Sequence, residues 1–349
     1  MSKNAYNGCN MAKVLFRFLT AGFLLAVLGL SACGRTPSPS SESLYPETIT
    51  IGTNTWPGYV GFYIARDMGY FREAGLTVEL KSYASLGELS KDYVAGKMQG
   101  RGNLTLDAVN ESLQGLDHKV ILAIDYSNGA DGIVARSDIQ TLANVKGKRI
   151  GLDPNTLEEF FMAWALEQNG LSLKDVTVVA ADPEKAAQLL KTGEVDIAVT
   201  YEPFLSQLLA DNQFHTIYSS SDAPGLIADI LTFRSDFIQA YPKTIEATLR
   251  AYFQGLHFWK EHPSEAMKIL AKELHDTPEG AAQQLQGLHV LDENDNHTAF
   301  TFAAEMQTLY GNLRRVARFV AEHQKDGNAT LPDSDQLIDR SFIQTIAHD

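Results

Sequence analysis

Acidic residues collect at the ends of apolar runs in this chain, with few bases near them. The segment DYSNGAD, Asp125–Asp131, follows the apolar run Val120–Ile124 and places a carboxylate on each side of an Asn-Gly turn, with the Ser127 hydroxyl between them. Asp153, Glu158 and Glu159 surround the start of a helix-like segment. Glu202 follows Tyr201 in TYEPF, and Asp229 sits inside Ile227–Phe233, with Asp222 in the loop before it. These segments contain no Lys or Arg. A carboxylate taken out of water without a partner is costly, so it protonates or pairs. The chemistry on offer is recognition of a small amine, guanidinium or aromatic cation, zwitterions included. A competing role is local, because Asp and Asn also stabilise turns.

Other residues at these run ends add shape and hydrogen bonds. Asn54, Trp56 and Tyr59 follow the first strand-like run, and the two aromatics offer a flat apolar wall or a cation–π face. Tyr83 and Ser85 follow the second run. Thr105 precedes Asp107, which is expected to cap a helix over Ala108–Leu116. Asn155 and Thr156 stand at a helix N-terminus, where free N–H groups suit an anion. The acids crowding that terminus would partly cancel its field.

Those run ends must be positioned by alternating strands and helices. Thr48–Gly52, Leu76–Leu80, Lys119–Ile124, Lys148–Leu152, Val176–Ala180, Asp196–Thr200 and Ile227–Phe233 read as strands. Phe62–Phe71, Gly87–Ala95, Thr156–Asn169, Glu184–Lys191 and Pro203–Ala210 read as helices. Thr156 and Glu159 have capping-box spacing, and Gly170 supplies a left-handed stop. The alternation implies parallel-rich sheets covered on both faces. Beyond Phe233 the pattern is mainly helical. In Pro242–His262, Ile245, Leu249, Tyr252, Leu256 and Trp259 share one helix face, which reads as core.

The chain has 349 residues and a net charge of −14, which argues against a nucleic-acid partner. Lys13 and Arg17 precede the uncharged apolar run Phe18–Leu30, shorter than a spanning helix needs, and LSAC follows at Leu30–Cys33. Residues 1–32 read as an export signal, and Met11 is a second plausible start. The signal contains Lys3, Lys13, Arg17 and Cys9 but no acid, so the exported part is more acidic still. Cys33 is then its one cysteine, and no disulfide is expected. Gly34–Pro46, rich in Ser and Pro, reads as an extended tether.

The segment IGTNTWPGYVGFYIARDMGYFREAGLTVEL, Ile51–Leu80, resembles the opening of the ABC-transporter substrate-binding proteins of the nitrate/sulfonate/taurine and thiamine-precursor type. Asn103–Val109, Asp125–Ala135, Val145–Phe161 and Gly193–Phe204 are similar to further segments of that family. LSAC resembles a bacterial lipobox, which implies lipidation of Cys33. The resemblance implies an α/β fold, the two-lobed periplasmic-binding-protein type II fold, with two crossover strands and a cleft between lobes. Lobe 1 is then expected over 47–135 plus 225–349 and lobe 2 over 136–224, with crossings near Arg136 and Pro224. Residues 33–46 form the lipidated tether. It further implies a monomeric carrier on the outer side of a membrane, held by its lipid alone, taking a small solute to a permease and ATPase without any cofactor. The candidate contacts are Asn54, Trp56, Tyr59, Tyr83, Thr105, Asp125, Ser127, Asp131, Asn155, Thr156, Tyr201, Glu202 and Asp229.

Within that fold a sulfonate-, nitrate- or taurine-type anion binder is the main alternative to a cation binder, since hydroxyls and helix N–H groups hold sulfonates. A sensory lipoprotein serving a membrane receptor needs the same closing cleft. A pyrimidine-precursor synthase-like enzyme uses the same fold, but the export signal and the absence of cysteine chemistry argue against it. The nine histidines form no H-x-x-x-H pair, and no metal-ligand cluster stands out. Asp292–Phe300, DENDNHTAF, begins like a calcium loop, but His297 stands where Gly is needed, so it reads as a loop or helix N-terminus.

Overall fold

A computed structural model describes residues 43–83, 86–323 and 333–346. The residues expected to form an export signal, Cys33, most of the expected tether and Ser85 lie outside the described residues. Eleven strands are described: β1 Thr48–Asn54, β2 Thr77–Tyr83, β3 Gly100–Leu104, β4 His118–Ser127, β5 Asp131–Arg136, β6 Arg149–Leu152, β7 Thr177–Ala180, β8 Ile197–Tyr201, β9 Phe214–Ser219, β10 Ala228–Arg234 and β11 Leu288–Val290. They form two sheets, in the orders β11-β4-β10-β3-β1-β2 and β7-β6-β8-β5-β9.

Both sheets are mixed rather than parallel-rich. β1 runs parallel to β2 and β3, and β6 runs parallel to β7 and β8. The strands that pass between the sheets reverse direction, so β10 is antiparallel to β3 and β4, and β5 is antiparallel to β8 and β9. The first passage lies at Asn128–Ala130 and not near Arg136. β5 is a full strand of the second sheet, so Asp131 stands on the opposite side of the cleft from Asp125. The turn there has Gly129 at φ +119°, and the Gly287 carbonyl accepts from Asn128 N and Ala130 N. The second passage, between β9 and β10, includes Pro224 as expected.

The first sheet's core is built from alternation and helix faces. Ile49 and Ile51 of β1 are fully buried, as the period-two pattern requires. Ile245, Leu249, Tyr252 and Leu256 bury one face of the helix Pro242–Glu261 in the same cluster, and Trp259 packs at its edge. The helix Leu157–Glu167 starts one residue later than expected and ends before Gly170, whose φ is +68°. Its capping differs from the expected box. Glu159 accepts from Asn155 N, and the Thr156 hydroxyl donates to the Asp153 carbonyl and to Glu158. Asp107 is not a cap either, because the helix begins at Thr105, and Asp107 in its first turn pairs with Arg101.

Two further features depart from the expected division into lobes. The helix Leu309–His323 buries Leu313, Val316 and Val320 in the second sheet's cluster, beside Phe160 and Phe161. The end of the Ser/Pro segment is docked on the fold. Tyr45 N donates to Thr244 Oγ1 at 2.8 Å, and its ring meets Phe237 and Tyr241 edge-on. Asp292 caps the helix Glu293–Ala299, so DENDNHTAF is a helix N-terminus.

Candidate functional site

A cavity of about 420 Å³, part of it open to solvent, lies between the strand ends of the two sheets. That is within the ~300–1,000 Å³ usual for small-molecule sites. From the first sheet come Asn54 at the end of β1, Trp56 and Tyr59 in the turn after it, Arg101 to Leu104 of β3, and Asp229 of β10. From the second come Asp131 at the start of β5, Tyr201 at the end of β8, and Leu157 and Glu158 at the start of their helix. Leu86 and Ile227 complete the lining.

The turn after β1 is shaped by close approaches. A Cβ on Gly58 would lie 1.8 Å from Asp125 Oδ2, so only glycine lets the turn close on that carboxyl. The indole Nε1 of Trp56 donates to the same oxygen at 3.1 Å. The Tyr59 hydroxyl sits 3.3 Å from Asn54 Oδ1 and 3.4 Å from Asp229 Oδ1. A Cβ on Gly102 would lie 2.6 Å from the Tyr59 ring, so β3 needs glycine to admit this tyrosine.

The electrostatics are dominated by buried acids. Burial pushes Asp131 up to about 7, against a hydrogen bond from Ser127, and the Glu202 charge pushes it further the same way. Burial also lifts Glu158 to about 7, opposed by the Thr156 hydroxyl. Asp229 stands well above the usual carboxylate range, first through burial and then through Asp125 and Asp131. Asp125 is raised to about 8 by burial, against the Trp56 hydrogen bond. Asp125 Oδ1 and Asp131 Oδ2 are buried without a hydrogen-bond partner.

One base does line the cavity, contrary to the expectation of none. Arg101 is fully buried, but its guanidinium is already engaged: Nε donates to the Gly102 carbonyl, Nη1 pairs with Glu111, and Nη2 with Asp107 at 3.1 Å. Glu111 also accepts from Asn103 Nδ2 at 2.8 Å. Two acids therefore offset this one cation before any cargo arrives.

The cavity unites Asn54, Trp56, Tyr59, Asp131, Tyr201 and Asp229 of the expected contacts. The others fall outside its lining. Tyr83 packs half-buried against the cluster of Leu89, Tyr93 and Met98, donates to Asp92 Oδ2 at 3.1 Å and lies beneath Lys81. Thr105 is buried in the first helical turn beyond Leu104. Asp125 lies behind Trp56, and Ser127 bonds Ser220 Oγ at 2.7 Å in the passage between sheets. Asn155 is exposed with φ +65°, and Thr156 spends its hydroxyl within its own turn. Glu202 faces a groove beside His275 and Asp276 and accepts from Ser206 N and Oγ. Arg101 and Asn103 were missed as contacts because GRGNL has no apolar run to mark it as a strand. Its alternating glycines were the available signal for a strand under close approach.

The architecture defines the class: this is a periplasmic-binding-protein fold. The periplasmic aliphatic sulphonate binding protein SsuA from Escherichia coli superposes with a TM-score of 0.71 at 16% identity, over 85% of this chain and 93% of that one. A family described as NMT1/THI5 like matches residues 56–266, more than half of the chain, and the chain belongs to that family. It is 24% identical to the taurine-binding periplasmic protein of Escherichia coli (strain K12), covering 85% of this chain and 92% of that protein. It is 27% identical to a putative aliphatic sulfonates-binding protein of Bacillus subtilis (strain 168), covering 74% and 77%. The family and fold resemblances read from the sequence are borne out.

Proposed function

We propose that this protein is the extracytoplasmic solute-capturing component of an ABC importer, and that its cargo is a small aminoalkanesulfonate-like zwitterion. The relatives' names supply the sulfonate, and the sequence resemblance supplies the importer setting. They favour the anion alternative over a plain cation. The single observation that adds the amine is the acidic lining, in which Asp131, Glu158 and Asp229 face the cavity and Arg101 is already paired. An ammonium group would give these carboxyls a cationic partner and satisfy the unpartnered Asp131 Oδ2. The helix Thr105–Leu113 has no side-chain cap, so its first-turn N–H donors remain for the sulfonate end. A carrier role is supported by the names of the relatives, which are those of binding proteins. Among the described residues no helix is long and apolar enough to cross a membrane. An anchor through lipid on Cys33 remains part of this proposal.

Isothermal titration with three probes tests it. Taurine carries both groups, ethanesulfonate lacks the amine, and ethylamine lacks the sulfonate. Taurine should bind at least ten times more tightly than either, and Asp131→Asn should reduce that preference over ethanesulfonate. Equal binding of ethanesulfonate would make the acids spectators. Equal binding of ethylamine would restore the plain cation reading. Absence of binding by all three overturns the cargo class.

A further inference from the structure

Asp125 is fully buried but does not line the cavity. Its Oδ2 accepts the Trp56 indole N–H at 3.1 Å, and its Oδ1 has no hydrogen-bond partner. A buried carboxyl with one oxygen unpaired is costly, and a side chain that only filled this space would be better apolar. The surroundings are built to admit it, because Gly58 leaves the carboxyl room that any Cβ would occupy. The hydrogen bond aims the indole. Trp56 belongs to the turn after β1, in the first sheet, yet its ring meets the Tyr201 ring of β8, in the second sheet, at 6.0 Å and 88°. This edge-to-face pair spans the cleft beside the cavity that both residues line.

We infer that Asp125 is a positioning residue, which holds the Trp56 indole in the one orientation that meets Tyr201 across the cleft and so sets how the two halves close on cargo. The closure it sets rests on the binding role proposed above; the orientation of Trp56 does not. The charged and titratable groups around Asp125 are Asp131 on β5, Asp229 on β10 and Tyr252 on the helix Pro242–Glu261, with Tyr59 beside Trp56. None of these is a base, and Arg101, the cation that lines the cavity and acts on Tyr59, is already paired with Glu111 and Asp107, so ionising Asp125 changes the field at the indole.

The chain has three tryptophans, and Trp164→Phe with Trp259→Phe leaves Trp56 as the sole emitter. In this full-length background Trp56 emission should titrate near pH 8, following Asp125. Asp125→Asn keeps an acceptor and should abolish the titration while leaving acrylamide quenching low. Asp125→Leu should free the indole and raise quenching at least threefold. With taurine as probe, Asp125→Leu should weaken binding at least tenfold, and Asp125→Asn should restore most of it. Unchanged quenching in Asp125→Leu, or an unchanged titration in Asp125→Asn, overturns the inference. If Asp125→Leu does not fold, Gly58→Ala replaces it, since its methyl would force the carboxyl and indole apart. If taurine fails to bind the unmutated protein, the cargo proposal fails while the fluorescence results still decide the role of Asp125.

Discussion

Replacing Asp131 by Asn should flatten the fall in stability of the cargo-free protein between about pH 4 and about pH 7. Asp131 is 4% exposed, with Oδ2 unpartnered, and burial raises it to about 7 in the folded state. Unfolded, it returns to roughly 3.9. Between those values the folded state binds the extra proton, so stability declines as pH rises and levels off above the folded value. Each unit of separation is worth about 1.4 kcal/mol, so two units between pH 5 and 7 amount to about 3 kcal/mol as an upper figure. At about 2–4 °C per kcal/mol, this is a melting difference of roughly 6–12 °C. Buried His118, lowered to about 4, contributes the opposite slope below its unfolded value, but it does so equally in both proteins. Differential scanning fluorimetry across that range reads the comparison directly. Parallel curves for the two proteins, within about 1 °C, would falsify the claim that Asp131 is buried and uncompensated when the cleft is empty.

Two further outcomes follow from the same floor of the cleft. Arg101→Met should destabilise the fold by about 3–5 kcal/mol in urea unfolding, because Glu111 and Asp107 lose their buried cation, and adding Glu111→Leu should recover part of the loss. Gly102→Ala should cost about 1–3 kcal/mol, since its Cβ would stand 2.6 Å from the Tyr59 ring; displacing that ring should also weaken taurine binding, measured by the same calorimetry.

Local pattern carried much of this protein. Apolar alternation and short apolar runs located β1, β2, β4, β6, β7, β8 and β10, because a strand with a buried face must show it in its own residues. The helix face of Ile245, Leu249, Tyr252 and Leu256 was legible for the same reason. So was the turn at Asn128-Gly129, where φ +119° demands glycine. The family segments between Ile51 and Phe204 were enough to identify the fold and to nominate Trp56, Tyr59, Asp131 and Tyr201, while Asp229 was nominated as the acid inside Ile227–Phe233. Tertiary structure decided the rest. β3 and β5 lack a long apolar run, and they become strands only because neighbours on both sides complete their ladders. The pairing of Asp131 with the second sheet depends on where the chain crosses, which no local preference encodes. Whether a carboxyl faces cargo or supports another side chain is a matter of depth. Asp125 and Asp131 share one short turn and look alike in sequence, yet Asp125 is sealed behind Trp56 while Asp131 lines the cavity. Arg101 likewise reads as a free cation until Glu111 and Asp107 are seen beside it, because charge balance is set by distance in space and not along the chain.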